Sequence, residues 1–199
     1  LLIASGQGTS NVVFFDDFNT NSTNPNWVTT PIGVYNSTCT LPVDGTSFFW
    51  IEESCQRIFQ TPPLDMTYGG IVSYDIKLAE DPSGGPGCNA LLTEKVFLEY
   101  NLDPTNPNSW VQILQHGCGN TGSCTFPWTS ISQQVPPAAQ VNNVGFRLRQ
   151  TLGGCLPPQI KLDNWGIDNF KIEANDPFYY DWTHIPSTVI PPGDNDTVT

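Results

Sequence analysis

The chain has 199 residues and 21.9 kDa, with 7 Lys and Arg against 19 Asp and Glu, a formal charge of −12 and a pI near 4.1. That balance offers no cationic footprint for a phosphate backbone, which excludes nucleic acid as a partner. No apolar run approaches the ~18 residues a membrane span needs. Aromatics at 12% within a 38% hydrophobic share are enough to build a core, so global disorder is excluded too. Seventeen glycines and 18 prolines leave an acidic, turn-rich globular domain.

No 15-residue window holds apolar residues at helical spacing without a Pro or Gly breaking it. Short runs of Val, Ile, Phe, Tyr and Trp recur instead, bounded by Pro, Gly, Asn and Asp, which is the pattern of an all-β sandwich. In chain order the expected strands are Val12–Phe18, Gly33–Tyr35, Ser47–Ile51, Arg57–Phe59 and Gly70–Leu78, then Lys95–Asn101, Trp110–Gln115, Thr125–Ile131, Val144–Gln150 and Asn164–Glu173. Three alternate clearly: Ile71–Leu78, Val96–Tyr100 and Val144–Arg149. The last of these is expected to turn Phe146 and Leu148 inward and Arg147 and Arg149 outward. The organisation read from this is an extended N-terminal arm or linker over 1–11, a β-sandwich over 12–174 and a tail rich in Pro and aromatics over 175–199.

Six cysteines, at 39, 55, 88, 118, 124 and 155, contain no C-x-x-C pair, and three N-x-[ST] sequons stand at Asn21, Asn36 and Asn195. With so little lysine, this predicts a secreted, glycosylated, disulfide-bonded extracellular protein, present as a mature product or a fragment. Six cysteines allow 15 pairings. Cys118 with Cys124 encloses a short flexible loop, Cys39 with Cys55 would staple an early hairpin, and Cys88 with Cys155 follows by elimination. Beyond the strands, the apolar head Leu1-Leu2-Ile3 and the tail residues Phe178, Tyr179, Tyr180 and Trp182 are costly to leave in water. They are expected to dock on neighbouring copies or on other extracellular proteins, where an extended arm could add to an open sheet edge.

Chemistry for catalysis is sparse. His116 and His184 are the two histidines, neither in a metal-ligand spacing, and no nucleophile elbow, P-loop or dinucleotide fingerprint occurs. The neighbouring acids Asp16-Asp17 and Glu52-Glu53 point to opposite faces of any strand, so they are not paired for glycoside hydrolysis. A non-enzymatic role is expected, with no catalytic residues. Two acidic clusters remain, Phe14–Phe18 at the opening strand and Asp163–Phe170 at the closing one. If those strands pair, the clusters meet, and carboxylates with an amide make a hard-oxygen environment suited to calcium.

The opening Phe-Phe-Asp-Asp-Phe, the middle Gly-Gly-Ile-Val-Ser-Tyr-Asp-Ile-Lys-Leu, the pair Val-Phe-Leu-Glu-Tyr-Asn-Leu-Asp and Ser-Trp-Val-Gln-Ile, and the closing Trp-Gly-Ile-Asp-Asn-Phe-Lys-Ile together resemble the subdomains of reelin repeats, over roughly residues 12–173. The resemblance implies an antiparallel jelly-roll β-sandwich of the kind found in secreted matrix and signalling proteins, stabilised by calcium. It implies Asp17 and Asp168 as calcium ligands, with Asp16 and Asn169 beside them. Asn101–Trp110 resembles an Asp-box hairpin whose usual glycines are replaced by Pro and Asn, with Asp103 and Trp110 at the matching positions. The expected function is structural or adhesive: a building block of an extracellular matrix, coat or filament joined through its terminal arms. The alternative is a carbohydrate-binding module, with glycans stacked on Trp50, Trp128, Tyr68 or the Phe178–Trp182 group.

Overall fold

A computed structural model describes residues 10–31, 33–35, 42–43, 47–51, 57–78, 95–103, 105–106, 108–117, 127–150 and 165–177. Among the described residues ten strands are formed: β1 (Ser10–Asp16), β2 (Val34–Tyr35), β3 (Phe49–Ile51), β4 (Ile58–Gln60), β5 (Gly70–Leu78), β6 (Lys95–Asn101), β7 (Val111–Gly117), β8 (Thr129–Gln134), β9 (Gly145–Gln150) and β10 (Trp165–Asn175). A 3₁₀ turn, Pro137–Ala139, separates β8 from β9. All pairings are antiparallel. One sheet runs β2-β3-β10-β5-β8 with β1 also on β10, and the other runs β4-β9-β6-β7. This is the expected jelly-roll sandwich. Because β5 lies along one edge of β10 from Trp165 to Ala174, β3 and β1 share its other edge, β3 at Trp165–Ile167 and β1 at Phe170–Asn175.

The core lies between the sheets and follows the two-residue period of the strands. Val72, Tyr74, Ile76 and Leu78 of β5 face Val96, Leu98 and Tyr100 of β6 and Phe146 and Leu148 of β9, all buried. The alternation expected of β9 is therefore the one observed. Aromatic rings dominate one end. Phe170 stacks on Tyr74 at 5.9 Å, meets Trp27 at 5.0 Å and Phe14 edge-on at 6.0 Å. Phe59 in turn touches Phe18, Trp27, Phe49 and Trp165. Each such ring contributes roughly 1.5–3 kcal/mol by leaving water.

Most strand ends shift by one or two residues from the sequence reading, and two differences have a plain physical reason. The opening strand stops at Asp16 rather than Phe18, because the carboxylates of Asp16 and Asp17 accept the backbone N–H groups of Phe18 and Asn19 and turn the chain. Of the strand expected at Thr125–Ile131, Thr125 and Phe126 lie outside the described residues, while Thr129–Ile131 is strand and continues to Gln134. Its polar half, Ser132-Gln133-Gln134, pairs in turn with Ser73, Val72 and Ile71 at the sheet's edge, where outward residues need not be apolar. The pair Gly69-Gly70 opening β5 has a backbone reason. Gly70 sits at φ +152°, and a Cβ there would lie 2.0 Å from the carbonyl oxygen of Glu173.

Candidate functional site

β1 and β10 do pair, with Asp16 opposite Phe170. Asp16 and Asp168 nevertheless fall on opposite faces of the sheet. Asp16 shares the inner face with Phe14 and Phe170 and is buried at the sheet's end. Its Oδ1 accepts the N–H of Phe18 at 3.0 Å, and its Oδ2 accepts the N–H of Asn24 and the indole N–H of Trp27, both at 2.7 Å. Burial raises the Asp16 pKa above its ordinary value, these hydrogen bonds opposing it and the neighbouring Asp17 charge adding to it. Asp17 is half-buried and accepts the N–H of Asn19 at 3.1 Å. Phe18, which follows them, is fully buried with φ +54°, a left-handed turn that this pair of acids holds in place.

Asp168 lies directly across from Asp75 of β5, on the outer face. It is fully buried, and its Oδ1 accepts the N–H of Asn169 at 2.8 Å. Phe48, the residue before β3, and Trp128, the residue before β8, reach toward each other over this face. Their rings meet edge-on at 5.3 Å above β10 and β5. Trp128 is therefore a packing residue on the flank of Asp168, while Tyr68 is the exposed ring expected, at 53%. Trp50 lies in β3 opposite Gly166.

One step further along, β10 bulges between Asp168 and Lys171, and Asn169 takes φ +50°. The bulge turns the Asn169 amide across the sheet, where Nδ2 donates to Asp75 Oδ2 at 3.0 Å, and Ser130 Oγ donates to Asp75 Oδ1 at 2.5 Å. The result is a cleft of about 320 Å³ crossing four strands, lined by Phe15 of β1, Asn169 and Lys171 of β10, Ser73 and Asp75 of β5 and Ser130 of β8. Lys171 is held by Glu173 at 3.0 Å.

Asp16 thus lies on the inner face with its carboxylate serving three N–H donors, while Asp168 lies on the outer face. Among the described residues no group of three or more His, Cys, Asp or Glu could hold a metal. All six cysteines, the sequons Asn36 and Asn195, and the assembly residues Leu1, Leu2, Ile3, Phe178, Tyr179, Tyr180 and Trp182 lie outside the described residues. Asn21 is exposed on the turn after β1 at φ +52°, its N–H bonded to the Phe18 carbonyl at 3.2 Å.

The outer face of the smaller sheet carries a charged ladder that the sequence reading did not single out. Glu99 of β6 accepts Nε of Arg147 at 2.6 Å and both Nε and Nη2 of Arg149, at 3.0 and 2.8 Å. Burial alone would raise the Glu99 carboxyl, but the hydrogen bonds from Arg149 and Arg147 outweigh it and hold its pKa below the ordinary value. Arg147 lies 4.1 Å over Trp110 and Arg149 5.2 Å over Phe97. The Asn101–Trp110 connection is a hairpin turn in which Asp103 Oδ1 accepts the N–H of Thr105 at 3.2 Å and its hydroxyl at 2.5 Å. Between the sheets, the Tyr74 hydroxyl and His116 Nε2 share a buried hydrogen bond of 2.7 Å. Burial holds the His116 pKa down at about 4, so the ring is neutral and not poised to move a proton near neutral pH.

Comparison with known structures adds the fold's wider company. The K1 cleaved adhesin domain of Lys-gingipain from Porphyromonas gingivalis is similar at 13% identity with a TM-score of 0.53, over 85% of this chain and all of that one. The K3 cleaved adhesin domain of the same protein is similar at 14% identity and a TM-score of 0.52, over 83% of this chain and 99% of that one. Both are far enough in sequence that they show the sandwich fold alone. No curated protein sequence matches significantly. The family model for reelin subrepeat B matches residues 33–173, the greater part of the chain and most of its strands. The chain belongs to the reelin subrepeat B family.

Proposed function

We propose that this chain is a secreted, non-enzymatic module with a structural or adhesive role, joining copies of itself into an extracellular matrix, coat or filament. The observation that carries this reading is the free flank of β1. Among the described residues no strand pairs with the edge of β1 that faces away from β10. That edge strand is seven residues long, holds no Pro or Lys, and exposes Val12 at 55%, Val13 at 37% and Phe15 at 45%. An unpaired, apolar edge of that length is a template for an added strand. It is blunted only by the bulge between Val12 and Phe14 and by the Asn24 amide, which donates to the Phe15 carbonyl at 2.8 Å.

The occupant we assign is a terminal segment of a neighbouring copy. Ser10 pairs with Asn175, so the chain's first nine residues and its last 22 attach at the same corner, beside the open edge. A segment of one copy added to β1 of the next is a heterologous contact, and such contacts propagate into open assemblies. Among the described residues, three groups able to do acid–base chemistry are engaged in structural contacts. His116 is sequestered against Tyr74, Asp16 is committed to three N–H donors, and Glu99 is committed to two guanidinium groups. The test is sedimentation of the intact chain beside chains lacking 1–9, 178–199 or both. The truncated chains keep every described strand and should sediment as folded monomers, while the intact chain assembles. Identical monomeric behaviour of all four would refute the reading, and assembly only with a second extracellular protein would change the assigned partner.

A further inference from the structure

We propose that the cleft on the outer face of the six-stranded sheet binds a neutral saccharide. Its volume of about 320 Å³ is at the lower end of the range for small-ligand sites. One wall is Phe15, an aromatic ring left 45% exposed beside polar neighbours. A pyranose presents an apolar C–H face and, around its rim, adjacent hydroxyl groups. The ring matches the first. The second needs donors and acceptors side by side, and the cleft supplies them from separate strands: the Ser73 hydroxyl, the Asp75 carboxylate, the Asn169 amide and the Ser130 hydroxyl.

These groups are held before any ligand arrives. Ser130 and Asn169 fix the Asp75 carboxylate at 2.5 and 3.0 Å, the β10 bulge fixes Asn169, and all are on strands rather than loops. Charge selects the class of saccharide. Asp75 faces the cleft, Lys171 is held by Glu173 at 3.0 Å, and the whole chain carries −12, so sulfated and uronic-acid sugars are repelled. Asp75 is the single carboxylate among the lining residues, whereas glycoside hydrolysis takes two. The site therefore holds a sugar without cleaving it. This function is separate from assembly at the β1 edge, because it uses the face of the sheet and not its hydrogen-bonding margin.

The experiment is calorimetric and NMR titration of the full chain with hexamers of β-1,4-glucose, β-1,4-xylose, β-1,4-mannose, α-1,4-glucose and β-1,4-N-acetylglucosamine, beside a sulfated heparin hexamer. At least one neutral hexamer should bind in roughly the 10 μM–1 mM range. Phe15→Ala should weaken it about tenfold or more. Asn169→Gly, which keeps the left-handed backbone while removing the amide, should do the same, and Leu102→Ala, exposed on the β6–β7 turn of the other sheet, should leave it unchanged. Circular dichroism checks that each variant folds, and the chain lacking its termini should titrate like the intact one. The proposal is overturned if no neutral hexamer binds at roughly 10 mM, if binding survives Phe15→Ala, or if the heparin hexamer binds more tightly than every neutral one.

Discussion

The buried Tyr74–His116 bond makes a quantitative prediction about acid stability. An unfolded chain takes a proton on His116 near the ordinary value of 6.5, whereas the folded chain does so only near 4, because burial disfavours the imidazolium. The folded state thus binds fewer protons than the unfolded state between those values, and stability falls as pH drops. The contribution is fully present above pH 6.5, is lost progressively below it and levels off beneath pH 4. Two and a half pKa units correspond to about 3 kcal/mol in full, of which about 2 kcal/mol should be lost between pH 7 and pH 5. The perturbation is His116→Gln, which cannot charge and keeps a polar atom facing the Tyr74 hydroxyl. The assay is urea unfolding of both chains at pH 7 and pH 5, read by tryptophan fluorescence. The variant should lose about 2 kcal/mol less stability than the parent over that interval. Carboxylates that titrate in the same range are common to both chains and cancel. Equal losses in the two chains would refute the reasoning, as would an NMR titration placing the His116 pKa near 6.5.

Three further outcomes follow from particular contacts. Asp16→Asn leaves the Asn24 and Trp27 N–H donors competing with a new amide and should cost about 1–3 kcal/mol in urea unfolding; a fall in the parent's melting temperature of ~4 °C or more on EGTA chelation that the variant lacks would mean Asp16 is a metal ligand instead. Gly70→Ala forces a Cβ against the Glu173 carbonyl at a backbone angle L-residues avoid, so thermal melts should show a loss larger than the ~1 kcal/mol typical of single substitutions. Glu99→Gln leaves the Arg147 and Arg149 guanidinium groups side by side without their shared carboxylate. It should cost about 1–3 kcal/mol by chemical denaturation, with part of the loss recovered in high salt.

How much of this the sequence carried depends on how local the signal was. β5 and β9 were legible because both alternate over six or more residues, and alternation maps directly onto inner and outer faces. The family resemblance was legible because its residues have backbone reasons. Gly70 cannot bear a side chain, and the Asp16-Asp17 pair turns the chain after β1. What acidity alone did not convey was the face of the sheet each carboxylate takes. The sequence raised pairing of the opening and closing strands as a condition, and they do pair, but the side of the sheet each carboxylate takes depends on the β10 bulge and on where β1 stops. Neither can be read from the order of residues. The cleft escaped notice for a similar reason. Phe15, Asp75, Ser130 and Asn169 are separated by as many as 154 positions, and only the register of four strands assembles them. Tryptophan was the more visible cue for a sugar surface, yet Trp128 is engaged with Phe48, and the exposed ring at the cleft is a phenylalanine. The Glu99 ladder was half legible: Arg147 and Arg149 were placed outward, while their partner sat in a strand read for its apolar alternation.

The central claim is that this module joins to others through the margin of β1 and the segments that leave beside it. Sedimentation velocity of the intact chain against the chain lacking residues 1–9 and 178–199 addresses it most directly. Assembly of the intact chain, with a folded monomer left after truncation, is the result predicted here. Monomers in both cases, or assembly that persists without either terminal segment, would contradict it.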